Sequence, residues 1–398
     1  MNPLAHADFR RLALGAGFTS IGFQGEQVLV SMLLFQITGS TAWVGIGLAM
    51  SFLPMLLVGV PAGATADHFD RRRLLPIFEA CLVLVFGLTA WMTWDGSIGV
   101  PALLTLVFVT GTLRAMHFPV RLSYAQDLLG GERLVKALSV LGVLSRLGQL
   151  TGAVLAGSLL ERAGPGVAFA VLALAHVLSV LVFMRLEHQG KAHADSATRP
   201  SLCQNFKEYA QELRHNPLLL RLTLLASMLE IFGFSFATAL PELATVQLGT
   251  DAEGLGLLHG ARSAGGLLAG LLLVRYGTEL RRGYAYIAVL LGFGIALVVL
   301  AWSPTLLIGM LACGLVASFA ASGDVLSQAM MQASVPDHLR GRAMGAWVLA
   351  LGAGPIGHVE LGVLIVAVGA PAGLVLNGMV LVATGVWVMA ALPRIRRL

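Results

Sequence analysis

The stretch Gly63-Ala64-Thr65-Ala66-Asp67-His68-Phe69-Asp70-Arg71-Arg72-Arg73 lies between two long apolar runs and decides how the chain has to fold. Before it, Trp43 to Ala66 carries no charged side chain; after it, Leu74 to Trp94 carries only Glu79. Both flanks meet the ~20 apolar residues that a helix needs to cross a hydrocarbon core. The charged stretch is therefore expected to be a tight turn at one membrane face. Its arginines place that face in the cytoplasm, because short loops rich in Lys and Arg are retained there. Gly63 lets two helix backbones approach closely, and Asp67 is suited to accept hydrogen bonds from a helix N-terminus or to pair with an arginine.

Composition extends this reading to the whole chain. Of 398 residues, 57% are hydrophobic and 12% charged, against ~25% charged in soluble domains. Such a chain has too few polar groups to cover a surface in water, so an integral membrane protein is expected. The net charge of +5 and the pI near 9.4 do not imply nucleic acid, because the basic residues fall in short separate loops rather than on one face. The three cysteines are Cys81 and Cys313 inside apolar runs and Cys203 in a polar loop, which supplies neither a disulfide framework nor a Cys-x-x-Cys metal site. Arg10 and Arg11 precede an apolar run of more than twenty residues with no small-residue cleavage site, so a retained first span is expected. The chain contains no Gly-x4-Gly-Lys-Ser/Thr, Gly-x-Ser-x-Gly or His-Glu-x-x-His. ATP hydrolysis and membrane hydrolase chemistry are therefore not expected, and neither is a metal or cofactor.

Apolar runs broken by Gly, Pro or charge predict an all-α protein with twelve spans, at 12–36, 43–66, 74–94, 98–120, 134–160, 166–184, 218–247, 254–275, 284–301, 305–333, 342–368 and 372–392. With the N-terminus inside, the cytoplasmic segments hold Arg10 and Arg11; Arg71, Arg72 and Arg73; Arg121, Arg133 and Lys136; and Arg185, Lys191, Arg199, Lys207, Arg214 and Arg221. In the second half they hold Arg275, Arg281 and Arg282; Arg340 and Arg342; and Arg394, Arg396 and Arg397. The external loops hold only Arg162, while Arg114, Arg146 and Arg262 fall inside spans. Adding or dropping one span would destroy this asymmetry, so both termini are expected in the cytoplasm. A polar, basic linker at 185–217 separates a six-span bundle at 1–184 from another at 218–398. The halves echo one another: Arg11-Leu12-Ala13-Leu14 recurs as Arg221-Leu222-Thr223-Leu224, and Arg71 to Arg73 as Arg281-Arg282. Two parallel repeats with a site between them are the expected consequence. The echo fails at Val274 and Arg275, which stand where the first half has its Asp67 region.

The spacing Gly63-x3-Asp67-x3-Arg71-Arg72 between the second and third spans resembles the signature loop of the major facilitator superfamily of transporters. Pro119-x-Arg121, and Val335 to Arg342 after the tenth span, resemble the branch of bacterial drug:proton antiporters that includes enterobactin exporters and macrolide efflux proteins. Gly148-Gln149-Leu150-Thr151-Gly152 is a loose version of the glycine-proline motif of antiporters and lacks its proline. The resemblance implies a secondary transporter in a bacterial cytoplasmic membrane that exports an amphipathic drug-like or siderophore-like molecule by alternating access. A proton gradient would be its energy source, and it would act as a monomer with the bilayer, the small molecule and protons as its partners. An uptake carrier for a small metabolite and a lipid flippase of the same fold are the alternatives. The resemblance also implies a gate loop at Gly63, Asp67, Arg71 and Arg72, and a cavity lined by the first, fourth, seventh and tenth helices.

Charges within spans cost about 3 kcal/mol each on insertion scales, so each demands a partner or a wet cavity. Glu26, with Gln24 and Gln27, lies in the first span, and Arg114 lies in the fourth with Thr110 and His117 at helical spacing on one face. Glu26 and Arg114 form the leading candidate pair, either for proton coupling or as a permanent bridge between helices. Glu230 in the seventh span and Asp324 in the tenth are further proton or cation candidates, and Gln328 and Gln332 extend Asp324 into a polar stripe. His176 and His259 are expected to be satisfied locally, as are Glu360 and His358 together.

Overall fold

The computed structural model describes residues 3–129, 131–190, 214–276, 281–336 and 339–396, with the side chains of 3, 59–68, 131–136, 340–342 and 394 outside that description. Helices account for nearly all of it. They are α1 (Ala7–Thr38), α2 (Thr41–His68), α3 (Arg71–Trp94), α4 (Val100–Leu129), α5 (Gly131–Phe183), α6 (Pro217–Gln247), α7 (Ala252–Tyr276), α8 (Arg282–Ala301), α9 (Leu306–Ala333), α10 (Arg340–Leu351), α11 (Gly354–Val368) and α12 (Ala370–Ala391). The predicted apolar runs fall on these helices, with 342–368 divided between α10 and α11.

Local chemistry sets the ends. α1 stops at Gly39, whose left-handed φ of 63° costs a glycine nothing and lets its N–H cap the Phe35 carbonyl. α3 starts where the Asp70 side chain accepts the Arg72 N–H. α5 covers the predicted runs 134–160 and 166–184 and is interrupted at Gly164, where φ is 83° and ψ 171°; Pro165 then restarts the helix. α6 is irregular after Met228, with wide turns at Leu229–Gly233 and Leu243–Gln247 and a tight one at Phe234–Ala239. Such changes of helical pitch are frequent at functional sites.

Among the described residues, ten helices are long and apolar enough to cross a membrane. α1 is not one of these, because Gln24, Glu26 and Gln27 sit in its middle and reduce its apolarity. The outward faces are themselves apolar, with Leu84 73% and Leu311 67% exposed. That is the pattern of helices solvated by lipid rather than by water.

The chain divides into two compact units. The first comprises 1–39, 50–197 and 250–263; the second comprises 40–49, 198–249 and 264–398. Within the first, α1 packs closely along α5: a Cβ at Gly152 would overlap the Ile21 backbone, so only glycine permits that approach. One end of this unit is filled by Phe9, Leu12, Leu75, Phe78, Tyr124 and Phe183. In the second unit, α8 and α12 make the corresponding close contact, at Gly294 and Gly378.

Candidate functional site

Glu26 and Arg114 meet. Arg114 Nη2 donates to Glu26 Oε2 at 2.5 Å. Glu26 is buried and its other oxygen accepts the Thr110 hydroxyl, while Arg114 stays a quarter exposed. Thr110 and Arg114 lie one turn apart on α4, so one face of that helix satisfies both carboxylate oxygens. Arg114 Nη1 also donates to Ser51 Oγ at 3.2 Å, and the guanidinium carbon lies 3.7 Å from the ring centroid of Phe23, a cation–π contact. Beside the pair, Gln24 Nε2 donates to Gln27 Oε1 at 3.2 Å and lies 3.1 Å from His259 Nδ1. His259 thus meets its partner across helices, not locally as expected, and its buried Nε2 makes no hydrogen bond with a described residue.

His117 does not join them. Three residues beyond Arg114 it sits ~4.5 Å further along α4, and its Nε2 lies 3.2 Å from Glu79 Oε1. Glu79 is fully buried and also accepts the Thr19 hydroxyl at 2.6 Å, while His176 Nδ1 lies 2.7 Å from its Oε2. His176 therefore pairs with a residue on another helix, again not locally. The sequence did contain the signal for this cluster: a single glutamate in an apolar run demands a partner.

The second unit has its own acidic site. Glu230 and Asp324 line one small cavity of about 10 Å³ with Phe234, Ser327 and Trp347. Trp347 Nε1 donates to Asp324 Oδ1 at 3.1 Å. Further along the predicted stripe, Gln332 Nε2 lies 2.9 Å from Met344 Sδ, and Gln328 between them is half-buried. The expected pairing of Glu360 with His358 is not formed. Glu360 Oε2 accepts from Asn377 at 3.3 Å and His358 Nδ1 lies 2.9 Å from Thr238 Oγ1, because residues two apart on a helix point to different faces.

Of the predicted gate loop, the side chains of Gly63 and Asp67 lie outside the described residues. Arg71 forms a buried pair with Asp127 of α4, Nη1 to Oδ2 at 2.5 Å. Arg72 Nη1 donates to the Glu187 carbonyl at 2.9 Å, and Asp70 Oδ1 accepts the Gly190 N–H at 3.2 Å. Asp8 completes this end of the unit by accepting the N–H groups of Glu187 at 3.0 Å and His188 at 2.7 Å, together with the Arg11 guanidinium. Burial works to raise the Asp8 pKa, but the His188 and Glu187 N–H groups and Arg11 outweigh it and hold the carboxyl below its ordinary range.

Comparison with known proteins identifies the family and the fold. The Tap multidrug efflux pump of Mycolicibacterium fortuitum is 26% identical, over 100% of this chain and 97% of its own. The enterobactin exporter EntS of Citrobacter koseri is 24% identical, over 98% and 93% respectively. A solved POT family transporter in complex with 5-aminolevulinic acid superposes with a TM-score of 0.81 over 97% of this chain and 96% of its own, at 9% identity, which speaks to the fold alone. The model of the transmembrane secretion effector family matches residues 1–397. The chain belongs to that family, within the major facilitator superfamily, and is a membrane transporter rather than an enzyme.

Proposed function

We propose that the protein is a twelve-span, proton-coupled secondary transporter of a bacterial cytoplasmic membrane, with both termini in the cytoplasm. It works as a monomer and exports an amphipathic small molecule by alternating access. The span count rests on the described helices together with α1 and the division of α5 at Gly164. Export is favoured by the names of the relatives, a multidrug pump and an enterobactin exporter.

The observation that carries the coupling is the Glu26–Arg114 pair with its surroundings. A buried carboxylate held by a partly exposed guanidinium and a hydroxyl is a charge that can be neutralised in two ways, by the arginine or by a proton. A cationic or dipolar substrate competing for Glu26, or a conformation that withdraws Arg114, would exchange one for the other. Arg114 stacked on Phe23 also offers an amphipathic surface to such a ligand. The gate loop from Gly63 to Arg72 would bias the equilibrium between the two access states.

A second reading places the titrating group at Glu230 and Asp324, and their shared cavity favours it. Ethidium accumulation in cells with and without the gene, with and without a protonophore, tests the main reading. Expression should lower accumulation, and the protonophore should abolish the difference. Export that survives the protonophore would show that protons do not drive it.

A further inference from the structure

We propose that Glu79, His117 and His176 form a proton-binding site in the first unit, separate from the Glu26–Arg114 pair. It does not rest on the transport reading above. The carboxylate comes from α3 and is fully buried. Thr19 of α1 donates its hydroxyl to Oε1 at 2.6 Å, and His176 of α5 presents Nδ1 to Oε2 at 2.7 Å. A carboxylate only accepts, so that nitrogen carries the hydrogen. His117 of α4, also buried, aims Nε2 at Oε1 from 3.2 Å, yet that nitrogen makes no aligned hydrogen bond with any described residue. The cluster therefore holds donor and acceptor capacity that the protein does not use.

Charge points the same way. With both rings neutral the cluster carries a full negative charge, and among the described residues no Lys or Arg lies within 4.0 Å of the carboxylate. Among the described residues Arg121, one turn beyond His117 on α4, also faces it and acts through space. Phe86 stacks on His176 with centroids 4.9 Å apart, and Phe183 lies 5.9 Å from His117. Gly15 and Gly22 of α1 close the remaining side; a Cβ at Gly22 would overlap the His176 ring. Glu79 is fully buried and the two rings are only 4% and 2% exposed, so water does little to screen the charge, and burying it unneutralised is costly. One added proton makes the group neutral. That proton belongs to the carboxylate and the two rings jointly, because groups this close titrate as one system. Among the described residues no group of three or more such side chains is arranged to hold a metal ion, so the proton is the ligand the chemistry selects. Since α1, α3, α4 and α5 each contribute a side chain, occupancy is tied to how these four helices pack.

The test is 15N-histidine NMR of the full chain in lipid nanodiscs, titrated between about pH 4 and 8, the range around the ordinary histidine value. Signals are assigned with His117→Gln and His176→Gln. Both rings should report one shared protonation step in the parent protein. Glu79→Gln should weaken proton binding at that step at least tenfold, because the negative charge that attracts the proton is gone. Thr19→Ala should act in the opposite sense and strengthen it, because Oε1 loses a donor and becomes more basic. Glu26→Gln should leave the step in place. Equal titrations in the parent and Glu79→Gln would overturn the proposal, and so would a shift of the same size in Glu26→Gln. If Glu79→Gln does not fold, an unchanged step in Thr19→Ala overturns it alone. Absence of gradient-driven transport by the parent protein, with this titration intact, would count only against the transport reading.

Discussion

Asp8 accepts the backbone N–H of His188 at 2.7 Å, which fastens the chain leaving α5 to the start of α1. Its carboxyl is held below the ordinary range, so the stabilisation is fully present above the unfolded value near 3.8 and is lost as pH falls through the lower folded value. Asp8→Asn should therefore lower the stability of the purified protein at neutral pH by about 1.5–3 kcal/mol, the scale of hydrogen bonds to a charged group. The gap between parent and variant should close as the pH drops below about 3.8. A gap that persists unchanged in strong acid would show that shape, not charge, is what Asp8 supplies.

Arg71 and Asp127 make a different kind of contact, since both are largely buried. Removing one partner of such a pair leaves the other unneutralised at a cost of roughly 3–5 kcal/mol. Arg71→Gln should reduce the yield of folded protein sharply, and Arg71→Gln with Asp127→Asn should recover most of it. Folded yield is read by size-exclusion chromatography in detergent. If the double variant fares no better than the single one, Arg71 acts through something other than Asp127.

Helix packing gives a contrast within one helix. At Gly152 a Cβ would overlap the Ile21 backbone, whereas at Gly142 it would meet nothing within 4 Å. Gly152→Val should prevent α1 from seating on α5 and abolish folded expression, and Gly142→Ala should be tolerated or slightly favourable, alanine being the better helix former by about 1 kcal/mol. A folded Gly152→Val protein would mean the two helices have room to separate.

These cases show what the sequence could and could not disclose. Helix positions were legible because long apolar runs bounded by Gly, Pro and charge leave the backbone no other way to satisfy its hydrogen bonds. Glu26 and Arg114 were legible as a pair because each is a charge stranded in a span, and Thr110 follows from helical spacing. His117 was grouped with Arg114 because spacing gives the face of a helix but not its depth against a neighbour; that register is fixed by packing such as the Gly152 contact on Ile21. Glu79 carried a signal, yet its partners His117 and His176 come from two other helices. His358 and Glu360 are the opposite case, because two residues apart on a helix already excluded the expected pairing.

The function of the Glu26–Arg114 pair separates cleanly by a double-mutant cycle. Glutamine at position 26 keeps the shape and hydrogen-bonding capacity of glutamate but does not titrate. If Glu26 exchanges the coupled proton, Glu26→Gln should abolish uphill export of ethidium from cells while leaving downhill flux in proteoliposomes measurable. If the pair only joins α1 to α4, the variant should instead lose stability by ~3–5 kcal/mol, because Arg114 remains as an unneutralised charge held by Ser51 and Phe23. Glu26→Gln with Arg114→Gln then decides. Both charges are gone, so folding should return in either case, but a coupling role predicts that uphill export stays absent. Full uphill export by the double variant would remove Glu26 from the coupling mechanism and pass that role to Glu230 and Asp324, which line one cavity in the second unit.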